Sequence, residues 1–244
     1  MTKFTIEFQS KYLLRKTEVL VYIPGQSLQE TIKQSDKNQL EKSNKTYPLM
    51  ILLPGFGSNK SAWVENTNVV ELAQKYQVAL ALISGENKWY MNFSPIDNWE
   101  GFLNYELPDF LYGTFKELSS SNPRYLVGCS MGGYGALRNY LTHSELYKAC
   151  AALSPATYAD NNLEAMLKAK SLRELAIDAK DIKKNIYLSV GTEDFIAKAS
   201  KEFDEFLKEN NCGFGYSFID GYDHSYRLWN EEIKKVFEYI MKLS

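Results

Sequence analysis

The stretch VGCSMGGYGALRNYL, Val127 to Leu141, puts four glycines and one serine into its first nine residues and then turns helical in pattern. The apolar run "RYLVGCS" that leads into it reads as a buried strand. Gly128-Cys129-Ser130-Met131-Gly132 therefore sits between a strand and a helix, the context a sharp nucleophile-bearing turn requires. A serine there is held in a strained backbone conformation. Glycines on either side let strand and helix approach where a Cβ would clash. The hydroxyl of Ser130 is left at the top of a sheet, with the Met131 N–H and the helix dipole aimed at whatever it attacks.

The rest of the chain repeats the same rhythm. Thr5–Phe8 and Glu18–Ile23 read as two antiparallel strands, and the polar stretch from Gly25 to Thr46 as a long surface loop. Leu49–Leu53 is a short apolar run without alternation, as a strand buried on both faces reads. Helical and strand patterns then alternate: Val69–Tyr76, Val78–Ser84, Asn104–Ser119, Arg124–Ser130, Gly132–Thr142, "ACAALSP", "NIYLSVGTED", Lys198–Asn210, "FGYSFIDGYDH" and Leu228–Leu243. Such alternation predicts an α/β fold with a mostly parallel central sheet and helices on both faces. Residues 1–244 read as one domain, with 156–184 a small helical cap insertion. Ligands on such sheets sit beyond the carboxyl ends of the strands. That edge gathers the loops Pro54–Asn59, Gly85–Trp99, Cys129–Gly132, Gly191–Phe195 and Gly221–Tyr226.

A nucleophilic serine needs a base, and the chain has only two histidines. His143 lies at the far end of the helix that Ser130 opens, about 16 Å away along the axis. His224, in "DGYDHSYRLW", follows the last strand and precedes the last helix, where a base belongs. An acid is needed to hold its tautomer, in the chain order Ser, acid, His. "YLSVGTEDF" offers Asp194 as first choice and Glu193 as the alternative in the same loop. Asp223 adjoins His224 but points away in an extended loop, and Asp220 is weaker still. Asp160 and Asp178 fall in the expected cap as solvated groups. A second backbone donor for an oxyanion is expected in "LLPGFGSN", from the Phe56 N–H, paired with that of Met131.

Bulk properties exclude other classes. With 28 Lys and Arg against 30 Asp and Glu, the net charge is −2, and no basic block marks a nucleic-acid face. No stretch of about 20 apolar residues suggests a membrane span, and the N-terminus lacks the pattern of a signal peptide. Cys129, Cys150 and Cys212 form neither a Cys-x-x-Cys pair nor an even set, which favours a reducing, cytoplasmic setting without disulfides or zinc. No metal or cofactor is required by this chemistry.

The segments "LLPGFGSNKSAW", "NKWYMN", "NYELPDFL", "GCSMGGYGALR", "GTEDF" and "GYDHSYRLW" occur in an order that resembles the esterase D group of α/β-hydrolases. Within that group the chain looks most like the compact bacterial tributyrin-type esterases, related to feruloyl and acetyl esterases and to S-formylglutathione hydrolases. The resemblance runs from Thr5 to the last helix. It implies an α/β-hydrolase fold, a serine carboxylesterase acting on small-molecule short acyl or aryl esters, and Ser130, Asp194 and His224 as the triad. It also places Trp63, Trp89, Tyr90 and Asn92 near the mouth of the site. Read alone, Trp89, Tyr90 and Trp99 fit an aromatic or sugar contact and an apolar wall equally. Two departures stand out. "ISGENKWYMN" replaces the longer glycine-rich segment of S-formylglutathione hydrolases, and Pro54 stands where the group usually has His. Dimers are common on this fold, which leaves a homodimer open.

Overall fold

The structure is a computed structural model that describes residues 1–26, 45–161, 169–179 and 184–243. Most of the expected Gly25–Thr46 loop, and the middle of the expected cap, lie outside the described residues. Thr2–Ser10 (β1) and Arg15–Ile23 (β2) form an antiparallel pair. The chain continues through Leu49–Leu53 (β3), the short helix Ala62–Asn66 (α1), Val69–Tyr76 (α2) and Ala79–Ile83 (β4). Next come Trp99–Gly101 (α3), a π-helical turn at Phe102–Glu106, and Leu107–Thr114 (α4). Arg124–Cys129 (β5), Met131–Thr142 (α5), Ala149–Leu153 (β6) and Leu172–Asp178 (α6) follow, then Ile186–Gly191 (β7), Ala197–Glu209 (α7), Tyr216–Ile219 (β8) and Tyr226–Met241 (α8).

The eight strands form one sheet in the order β1-β2-β4-β3-β5-β6-β7-β8. β2 meets both its neighbours antiparallel, and all later pairs are parallel. The continuous apolar runs have the expected cause. Leu49, Ile51 and Leu53 face one core with α4, α5, α6 and α7. Met50 and Leu52 face the other, with Trp63, α2 and α8. A strand covered on both sides has no solvent face to make polar.

Two elements differ from the sequence reading. α1 is only five residues long, too short for a periodic signal. The helix expected over Asn104–Ser119 starts earlier, at Trp99, because the Asn98 side chain accepts the Gly101 N–H at 2.8 Å. It also ends earlier, at Thr114, where Phe115 becomes extended. Pro108 lies inside the helical run. Proline cannot donate to a carbonyl one turn back, and the π-helical turn just before it absorbs that break. Within 156–184, α6 opens with a reciprocal Ser171–Glu174 cap and buries Leu172, Leu175 and Ala176 against the core shared with α5.

Candidate active site

The turn at Ser130 is built by close approach. A Cβ on Gly128 would run into the backbone of Gly132, and one on Gly132 into that of Leu53 and Pro54. β5, α5 and the loop after β3 therefore touch backbone to backbone. Ser130 itself has φ 54° and ψ −120°, a left-handed conformation that costs a side-chain-bearing residue about 1–3 kcal/mol. Three backbone hydrogen bonds hold it there. Its N–H donates to the Leu153 carbonyl at 2.9 Å, and its carbonyl accepts from Tyr134 at 2.9 Å and Ala156 at 3.1 Å.

His224 projects from the loop between β8 and α8. Its Nε2 lies 2.9 Å from Ser130 Oγ, and its Nδ1 lies 2.9 Å from each carboxylate oxygen of Asp194. With Nδ1 protonated it donates to Asp194 and leaves Nε2 to accept the serine hydroxyl. The two loops are stitched together by Thr192 N–H to Ile219 O at 2.9 Å and Glu193 N–H to Tyr222 O at 3.0 Å. Asp194 is buried, and its Oδ1 also accepts the Ile196 N–H at 3.0 Å. The imidazole is walled by the rings of Phe195, 4.5 Å away, and Trp229, 5.1 Å away in a T-shaped contact.

The other candidate acids point elsewhere. Glu193 is exposed, Asp220 accepts from Thr192 Oγ1, and Asp223 accepts from Ser225 Oγ. Asp178 pairs with Lys170. His143 sits at the far end of α5, with Nε2 2.6 Å from Glu100.

The loop after β3 reaches the nucleophile. A Cβ placed on Gly55 would lie 3.3 Å from Ser130 Cβ. Neither the Phe56 N–H nor the Met131 N–H donates to a protein acceptor among the described residues. The Met131 N–H opens α5 directly after the serine, and a helix N-terminus suits a developing negative charge. Cys129, next to the serine, is no rival nucleophile, since burial pushes its thiol up to about 12. No group of three or more His, Cys, Asp or Glu is arranged to hold a metal ion among the described residues.

The four residues expected at the mouth separate. Trp63 is a correction. It is wholly buried, and its indole N–H donates to the Leu53 carbonyl at 3.1 Å. Tyr90 is a second correction. It is 1% exposed, and its hydroxyl donates to the Pro54 carbonyl at 3.0 Å. Each polar tip needs a partner once buried and finds a backbone carbonyl there. Asn92 is exposed but engaged with Glu100 in both directions. Trp89 packs edge-on against Tyr134 and 6.4 Å from the ring of Phe56. Trp99 is core.

Phe56, 63% exposed, and Phe195, 72% exposed, do reach solvent, as does Tyr158. Phe195 borders a groove of about 470 Å³ with Tyr158, Ile196 and Lys198. Sequence reading passed over Phe195, although it directly follows the candidate acid.

Comparison with known proteins agrees with this architecture. The chain is 28% identical to an acetyl esterase of Caldicellulosiruptor saccharolyticus over 272 aligned positions, covering 100% of both chains. It superposes on the fluorophosphonate-binding serine hydrolase F of Staphylococcus aureus with a TM-score of 0.80, at 20% identity and over 98% of this chain and 97% of that one. An S-formylglutathione hydrolase of the same organism gives 0.79 at 19% identity, over 98% of each chain. The model of the Esterase family matches residues 10–238, so the chain belongs to that family, and it has an α/β-hydrolase fold.

Proposed function

We propose that the chain hydrolyses short-chain acyl esters, acetyl to butyryl, or aryl esters of small molecules, through a Ser130–His224–Asp194 triad and an acyl-enzyme. The observation that carries this reading is the unbroken chain of contacts from Ser130 Oγ to His224 Nε2, and from His224 Nδ1 to Asp194, each at 2.9 Å. His224 takes the Ser130 proton as Oγ bonds to the ester carbonyl carbon. The N–H groups of Phe56 and Met131 receive the charge on the carbonyl oxygen. His224 then gives its proton to the leaving alcohol as the C–O bond breaks, and the acyl group stays on Ser130. Water, deprotonated by His224, attacks the acyl carbon. Ser130 leaves and regains its proton.

The preference for short acyl chains is supported by the brevity of segment 156–184 and by the acetyl esterase among the relatives. Cytoplasmic residence belongs to the same proposal, supported by three buried cysteines, none of them in a disulfide. No helix among the described residues is long and apolar enough to cross a membrane.

The test is initial rates on p-nitrophenyl esters from acetate to decanoate, with methyl ferulate included and Ser130→Ala as the blank. The expected profile peaks between acetate and butyrate and vanishes in the variant. Cleavage of S-formylglutathione with every ester inert replaces this reading with a thioesterase.

A further inference from the structure

The loop after β4 carries an unusual run of backbone. Glu86, Asn87, Trp89 and Tyr90 all have positive φ, at 47°, 58°, 52° and 57°. Bulky residues seldom adopt that conformation, and runs of it mark places where surrounding structure imposes the shape. Three of these residues touch the loop after β3. Asn87 Oδ1 accepts the Gly57 N–H at 2.7 Å. The Trp89 ring lies 6.4 Å from that of Phe56. The Tyr90 hydroxyl donates to the Pro54 carbonyl at 3.0 Å.

Peptide groups are planar, so a directional hydrogen bond to one atom restrains the whole group. The Tyr90 bond restrains the Pro54–Gly55 peptide. The Asn87 bond restrains the Phe56–Gly57 peptide. Between them lies one peptide, Gly55–Phe56, whose N–H is the second oxyanion donor of the proposed mechanism. A turn bond from the Ser58 N–H to the Gly55 carbonyl, at 3.3 Å, closes the loop on itself. The two side chains place that turn relative to the sheet.

Tyr90 is itself anchored to the nucleophile's helix. Asn139 Nδ2, on α5, donates to the Tyr90 carbonyl at 3.2 Å and to the Gly135 carbonyl at 2.8 Å. A Cβ on Gly135 would overlap the Tyr90 ring, and one on Gly85 its hydroxyl. The ring is thus held between the end of β4 and α5. Burial raises the phenol well above its ordinary value, so it stays a donor.

We propose that Asn87 and Tyr90 are positioning residues that preorganise the oxyanion site, bracketing the Phe56 N–H and tying it to the helix that supplies the Met131 N–H. This rests on the esterase reading above. Neither residue touches the substrate. Their effect belongs to the transition state, where charge reaches the carbonyl oxygen.

The experiment compares full-length wild type, Tyr90→Phe and Asn87→Ala. It reads kcat and KM on p-nitrophenyl acetate, affinity for a trifluoromethyl ketone that forms a serine hemiketal oxyanion, and thermal unfolding. A donor moved by a fraction of an ångström is expected to lower kcat roughly 10- to 100-fold with KM within about twofold. Ketone affinity falls in step, and the pH profile of kcat/KM keeps its midpoint. Unchanged kcat and ketone affinity in both variants overturn the proposal, as does a rise in KM with kcat intact. If Tyr90→Phe fails to fold, Asn87→Ala, altered at an exposed side chain, decides alone. A wild type that neither turns over esters nor binds the ketone removes the esterase reading and this one together. An active wild type with unaffected variants removes this one only.

Discussion

Both carboxylate oxygens of Asp194 lie 2.9 Å from Nδ1 of His224, although the two residues sit on separate loops beyond β7 and β8. Glu193, one position earlier, faces solvent. The strand-end geometry that turns Asp194 inward turns its neighbour out.

Replacing Asp194 with Asn keeps the volume and removes the charge that selects the productive tautomer. A loss in kcat on the order of 10⁴ is expected, by analogy with the serine protease case. Glu193→Gln is expected to leave kcat and KM within about twofold, as exposed substitutions away from the chemistry do. Steady-state kinetics on one activated ester distinguishes the two acids.

Trp63 was expected at the mouth and lies in the core beneath Tyr226, with ring centroids 6.0 Å apart. Trp63→Ala is therefore expected to destabilise the fold by about 3–5 kcal/mol. In a chain of this size that lowers the melting temperature by roughly 2–4 °C per kcal/mol. Calorimetry measures the first effect. In the milder Trp63→Phe an unchanged KM checks that the ring does not meet the substrate.

Gly132→Ala tests the close approach that makes the turn. The added methyl meets backbone atoms of Leu53 and Pro54, which cannot rotate away as a side chain would. The expected cost is about 3 kcal/mol or more, read from chemical denaturation, with loss of ester turnover in whatever protein remains folded.

The buried thiol at Cys129 gives a pH prediction. The unfolded chain ionises a cysteine near pH 8.5, whereas in the fold burial pushes this one up to about 12. The folded state holds the proton longer. Stability from this group is complete below about pH 8.5 and declines by about 1.4 kcal/mol per unit above it, until the folded thiol also ionises. Cys150 is buried with its thiol raised as well, so the difference in denaturation midpoints between wild type and Cys129→Ala from pH 8 to 10 checks this slope, and a thiol reagent at pH 8 is expected to react with Cys129 only after unfolding.

Much of this was legible because the signals were local. Gly128 and Gly132 announce a strand-to-helix crossing whatever surrounds them, and five apolar residues at Leu49–Leu53 need two covered faces. With two histidines in the chain, His224 followed from its place after the last strand. The aromatics were harder. "NKWYMN" reads the same whether its rings line a pocket or brace a loop. Only the fold shows that the Tyr90 hydroxyl ends on the Pro54 carbonyl. The early start at Trp99 depends on Asn98 acting as a cap and on a π turn ahead of Pro108, two features without hydrophobic periodicity. Phe195 was missed because exposure, not composition, is what sets it apart.

The central claim is that Ser130 is the nucleophile. Treating the folded protein with a fluorophosphonate and mapping the adduct by mass spectrometry tests it most directly. The account predicts one phosphonyl group, on Ser130 in the tryptic peptide Tyr125–Arg138, and none in Ser130→Ala. A wild type that stays unlabelled, or a Ser130→Ala protein labelled as fully as wild type, would contradict it.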